Sequence, residues 1–348
     1  MLAALLLPLL LGMTALAIDV GTYAAARRNL QNSADAIALA AAQDLPDAAA
    51  AQTSAQSWAA RNGVDWSTVT FSVSGGSVSP EVSVSISKPH KFAFIGVLGV
   101  GSRNVGARAV AGKFSPQGVG GAMPWSITQA TIDSVQPGQD VTIKQGAGGG
   151  TTGNYGAIDI DGTGANIYKA TIEQGANGVI CSSGMTGCDS TSCPGNFPSP
   201  CAENAASCTG AVCVSEPGNK VGPTDQGVAY RLGLTTPQCS TFAGAFTPPA
   251  PGGQYKLDPA CNPWGAGKCP VPDDGVTLCS RQVIVIPIVD QFGNGKKPIT
   301  ILGFALFFLE GASGGVVTGR FVNANVDMNA FSNSYDSNSL THFVKLIQ

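Results

Sequence analysis

The chain has 348 residues, of which only 12% are charged, and its net charge is −3. That balance excludes the basic footprint that nucleic-acid binding requires. Forty-five glycines and twenty-two prolines beside 44% hydrophobic residues exclude a disordered polyelectrolyte and point to a loop-rich, mostly β protein, long enough for about two or three domains.

From Met1 to Ile18 no residue is charged. At about 1.5 Å per residue such a helix reaches roughly 27 Å, near the thickness of a bilayer core. Leu30, Ala34, Ile37, Ala41 and Leu45 then recur at helical spacing. One long helix is expected, apolar all round at its start and one-sided further on. A cleaved secretory signal has a short apolar core and a small-residue cleavage site, whereas this run passes into more helix, which favours an anchor. Asp19 ends the run, where a carboxylate marks the membrane boundary or meets another helix. After Pro46, Asp47 can cap a second helix with Ala51, Ala55, Trp58 and Ala59 on one face, and Asn62-Gly63 supplies its stop.

The period then becomes two. Val69, Phe71 and Val73, then Val82, Val84 and Ile86, then Val105, Ala107, Ala109 and Ala111 read as three strands. Between the second and third lies Phe92 to Val100, an apolar, glycine-broken stretch expected to cover the sheet as a loop or short helix. Ser115 to Gly121 reads as a linker by composition. Met123 to Ile127 and Asp140 to Lys144 are candidate strands, and Gly146 to Gly164 is glycine-rich. At the far end, Val283 to Val289, Ile299 to Leu309 and Val316 to Val326 look like central strands joined by hairpins. The middle one is too short to be a second membrane helix.

All ten cysteines fall in one region: Cys181, Cys188, Cys193, Cys201, Cys208, Cys213, Cys239, Cys261, Cys269 and Cys279. The first six form two C-x6-C-x4-C triplets. There is no C-x2-C, and His90 and His342 lie far from the cluster in sequence, so disulfides are favoured over zinc, and with them an oxidising, extracytoplasmic space. Arg27 and Arg28 alone would place the residues after the anchor on the cytoplasmic side. The cysteines outweigh them. The pairing of the cysteines does not follow from sequence.

Two strings invite a chemical reading. Gly311 to Gly315 fits G-x-S-x-G around Ser313, but a nucleophile elbow needs a helix after it, and a β pattern follows. A hairpin turn is expected. Asp159, Asp161 and Gly162 begin like a calcium loop, yet the twelfth position is Ala170 rather than glutamate, so these are weak calcium candidates beside a solvated turn. No catalytic residue and no cofactor is expected.

The N-terminal residues also carry a resemblance. Ala17, Ile18, Asp19, Val20 and Gly21, then Arg27 and Arg28, then Leu30, Gln31, Asn32, Ala34, Asp35 and Ala36 resemble the N-terminal segment of TadE/TadG-like proteins of Flp (Tad) pilus assembly. The phenylalanine-rich loop before Val105, and more softly Pro217-Gly218-Asn219, Gly222-Pro223-Thr224 and Arg231, are similar to the same proteins. The resemblance implies a membrane helix that packs with other pilus-assembly or pilin-like proteins. The D-x-S-x-S metal motif of longer relatives does not occur.

These readings together give an α+β chain. Residues 1–45 are a transmembrane or amphipathic helix, 46–113 a helix plus β-sheet module of pilin-like outline, and 114–348 a β-rich exported domain with a Cys-rich, disulfide-rich insert at 181–279. The expected function is that of a non-enzymatic, membrane-anchored, extracytoplasmic structural or assembly component of a Flp-type pilus. It would sit in the cell envelope as a single-pass protein of the inner or cytoplasmic membrane, without nucleic acid as a partner. The alternative is a membrane-tethered adhesion or ligand-binding module with no role in pilus assembly.

Overall fold

A computed structural model of the chain describes residues 2–76, 79–95, 101–146, 155–176, 179–182, 208–209, 212–249, 254–264, 280–292, 295–326, 330–331, 335–336, 339 and 341–347. The side chains of residues 2–11, 179, 208–214 and 330–331 lie outside that description. A long N-terminal helix is followed by mostly sheet, an α+β arrangement that divides into two compact units, residues 1–113 with 344–348, and 114–343.

In the first unit, helix α1 (Leu2–Ala42) packs through Leu30, Ala34, Ile37, Ala38 and Ala41. The five-residue face read from sequence, including Leu45, is buried throughout. Helix α2 (Ala48–Arg61) starts where Asp47 accepts hydrogen bonds from the Ala49 and Ala50 N–H groups, which satisfies donors left over in the first turn. Its inward stripe is Ala51, Ala55 and Ala59. Trp58, expected on that stripe, instead points outward at 39% exposure beneath the Arg61 guanidinium. An all-alanine stripe leaves no room for an indole.

Strands β1 (Val69–Ser74), β2 (Glu81–Lys91) and β3 (Ser102–Phe114) form an antiparallel meander. Register places Phe71 opposite Val84 and Val84 opposite Ala109, so every inward residue of the period-two pattern shares one face. Lys113 is buried, and its ammonium donates to the Gln43 and Leu45 carbonyls just beyond the end of α1 at 3.0 and 2.8 Å. Burial pulls its pKa down to about 8, partly opposed by Asp44. A cation here neutralises carbonyls that the helix cannot pair itself.

In the second unit a large mixed sheet is built on β8 (Val283–Val289) and β9 (Pro298–Ser313), with β10 (Val316–Val322) following across a tight turn. Its remaining strands are β4 (Ile127–Thr128), β5 (Asp140–Lys144), β6 (Ile158–Asp159), β7 (Val212–Ser215) and the two-residue Cys208–Thr209. Strand β8 has no exposed residue. Val283, Val285 and Val289 join Phe304, Leu306 and Phe308 in one core, while Ile284, Ile286 and Ile288 join Ala305, Phe307 and Leu309 in another. An unbroken apolar run is what a strand covered on both faces requires. One cover is made by helices α3 (Ala165–Gln174) and α4 (Val221–Gly233), through Tyr168, Ile172 and Val228. Arg231, wholly within the interior, donates to the carbonyls of Arg281, Ile172 and Glu173 and so ties these helices to the strand entry.

Two expectations are corrected here. Ser115 to Gly121 is no linker: Gly118–Gly120 is a buried strand paired with Val179–Cys181 and Ala330–Phe331. Met123 to Ile127 makes only single backbone bridges, Met123 N–H to Val285 and Trp125 opposite Ala157, before the short β4.

Candidate functional site

The residues of the N-terminal motif divide sharply by what they touch. Asp19 is fully buried, and its carboxylate accepts three successive backbone N–H groups, from Ala93 at 2.8 Å, Phe94 at 2.9 Å and Ile95 at 2.6 Å. Consecutive N–H groups turned to one point form an anion-binding concavity. The loop leaving β2 is thereby clamped onto α1. One turn on, Thr22 meets His90 Nε2 at 3.4 Å, and the rings of Tyr23, His90 and Phe92 pack together with centroids 5.4 to 6.0 Å apart. Burial pulls the Asp19 pKa upward, but the three N–H donors and His90 outweigh it, and the net shift is downward.

Further along, Gln31 bridges two partners: its amide donates to Asp35 at 2.8 Å and to the Arg108 carbonyl on β3 at 2.9 Å. Tyr23 reaches the Asn104 carbonyl at 3.5 Å, and Ile347 N–H caps the Val110 carbonyl at 2.8 Å. These contacts hold β3 at the Asn104, Arg108 and Val110 carbonyls. Arg27, Gln31, Ser85, Gly106 and Arg108 line a groove of about 550 Å³. Leu30 and Ala34 are core, Ala36 is half-buried, and Ala17, Ile18, Val20, Gly21, Asn32, Arg27 and Arg28 are exposed.

The exposed members extend an apolar surface. Met13, Leu16, Ile18 and Val20 are 50 to 59% exposed. Among the described residues no helix is long and apolar enough to cross a membrane; the side chains of residues 2–11, on which most of that reading rests, lie outside the description.

The other singled-out residues are placed as follows. Asp159 pairs with Lys296 at 3.1 Å, and Asp161 accepts from the Thr171 hydroxyl at 2.7 Å. Among the described residues no three potential metal ligands come together. Ser313 is exposed at the end of β9, before Gly314 and Gly315, whose φ of 59° and 77° make the tight turn into β10. Strand–turn–strand is not the elbow geometry. His342 is buried, with Nε2 on the Asp336 carbonyl and its ring stacked on Tyr335. Cys239 and Cys261 form a disulfide, and Cys181 is disulfide-bonded. Cys188, Cys193, Cys201, Cys269 and Cys279, with the side chains of Cys208 and Cys213, lie outside the described residues.

Replacing Asp19 by Asn removes the charge while keeping the shape. Amide exchange at Ala93, Phe94 and Ile95 is expected to rise about tenfold or more, with exchange in β1 and β2 unchanged. Because the folded carboxylate titrates lower than a free one, its contribution is complete above the ordinary carboxylate range and is lost as pH falls through the folded value. Equal exchange at these three amides in both proteins would refute the clamp.

Sequence reasoning singled out Asp19 and the phenylalanine-rich loop separately. It missed that one binds the other, along with the roles of Tyr23 and His90. Residues 1–44 match the family described as Flp pilus-assembly TadE/G-like. No curated protein and no solved structure matches the chain. The N-terminal 44 residues, helix α1 and its clamp residue Asp19 among them, are thus a TadE/G-like segment of the kind associated with Flp pilus assembly.

Proposed function

We propose that this protein is a non-enzymatic, membrane-anchored structural component of a Flp-type pilus, with its body outside the cytoplasmic membrane. The observation that carries the reading is the division of labour along α1. Its later half is committed to its own sheet through Leu30, Ala34 and Ile37, and Asp19 fixes the boundary. Ahead of Asp19 the apolar side chains Met13, Leu16 and Ile18 stand exposed among the described residues. Such a surface belongs against lipid or against other apolar helices. An oxidising exterior suits the Cys239–Cys261 bond and a disulfide-rich insert around it.

Two measurements test this. Deletion with complementation separates the roles: lost pili support assembly, while intact pili with lost attachment support the adhesion alternative. Alkylation of thiols directly in native membranes, before and after reduction, tests the topology. Most of the ten cysteines are expected to be blocked until reduction; free alkylation of most of them would place the body in the reducing cytoplasm and sink the proposal.

A further inference from the structure

We propose that Lys144 and Asn219 are joined by an intramolecular isopeptide bond. Lys144, the last residue of β5, is fully buried. Its amine lies 2.6 Å from the Asn219 carbonyl, 2.8 Å from that of Gly315, 3.3 Å from that of Gln145 and 3.3 Å from the Asn219 side-chain oxygen. Among the described residues no carboxylate stands within ion-pair distance of it. A buried ammonium without a contacting carboxylate is costly, which lowers the cost of reaching the neutral, nucleophilic amine. Burial does pull the Lys144 pKa down to about 8, with Asp225 opposing only in part.

The surroundings fit a reacting pair. Asp225 is oriented by the Gly315 N–H at 2.9 Å and acts electrostatically on Lys144. Gly315 closes over the amide, and a side chain there would begin 3.2 Å from the Asn219 oxygen. Tyr155 lies with its ring 6.0 Å from the amine. A buried amine beside a half-buried amide gains the proximity that an intermolecular reaction lacks.

The step balances without an oxidant. The Nζ lone pair attacks Asn219 Cγ and forms the N–C bond, and a proton passes from Nζ to the Asn219 nitrogen. The Cγ–Nδ2 bond breaks and ammonia leaves, so an amine and a primary amide become a secondary amide. The bond ties β5 to the segment entering α4, across 75 residues.

The test uses the full chain, denatured, reduced, alkylated and digested with trypsin and a glutamate-specific protease, then read by mass spectrometry. Expected are no cleavage after Lys144 and a branched peptide, lighter by one ammonia than the sum of its two linear parts. Lys144→Arg is expected to return linear peptides only. Cleavage after Lys144 in the wild-type chain, with the Asn219 peptide linear, whether intact or deamidated, would overturn the proposal. The wild-type result decides even if a variant does not fold.

Discussion

Lysine at position 18 is expected to abolish pilus assembly. Ile18 is 50% exposed, on the opposite side of α1 from Leu16 and Val20, which are exposed as well. A new charge there spoils contact with lipid or with neighbouring apolar helices, and the cost rises with depth in the bilayer. In a complemented deletion strain, Ile18→Lys should cut surface pili by about tenfold or more. The clamp at Asp19 and the core at Leu30, Ala34 and Ile37 do not involve this side chain, so the unit should keep its fold and its exchange protection. Gln52→Lys, on the exposed side of α2, is the matched control and should be neutral. Normal piliation with Ile18→Lys would show that this surface takes no part in assembly.

The second large effect concerns the centre of the second unit. Phe307 is fully buried on β9, pairs across the strand with Ile284, and meets Phe321 edge-on with centroids 5.2 Å apart. Phe307→Ala removes a ring from a core whose strands cannot collapse inward, because the opposite face is packed with Phe304 and Phe308. A loss of about 3–5 kcal/mol is expected, with a melting temperature lower by about 10 °C. Leu302, on the same strand but 42% exposed, provides the contrast, and Leu302→Ala should change stability by less than about 0.5 kcal/mol. Comparable losses at both positions, in chemical denaturation followed by tryptophan fluorescence, would contradict the two-faced core.

Several of these features were legible in the residues alone. Periodicity reports which side of an element meets solvent, and that information is local. The four-three spacing from Leu30 to Leu45 gave the buried face of α1, and the alternation in β1 to β3 gave their common inward face. The unbroken run VIVIPIV marked a strand covered on both faces. Asp47 announced the start of α2 because a cap acts over two or three residues.

What the residues left open depended on distant neighbours. A carboxylate at the end of an apolar helix must find donors, but its identity does not say whether they are water, headgroups or the backbone 74 to 76 residues onward. The composition of Ser115 to Gly121 is that of a spacer, and only the approach of Val179–Cys181 turns it into a buried strand. Trp58 faces outward because α1 packs too close to α2 to admit it, a limit set by the partner helix. The placement of Lys144 beside Asn219 and Asp225 likewise belongs to the tertiary structure, since strand β5 and the entry to α4 meet only when the sheet is assembled. Sequence determined the elements and their buried faces through short-range periodicity; folding decided which polar groups meet, because those pairings are set by packing between elements far apart in the chain.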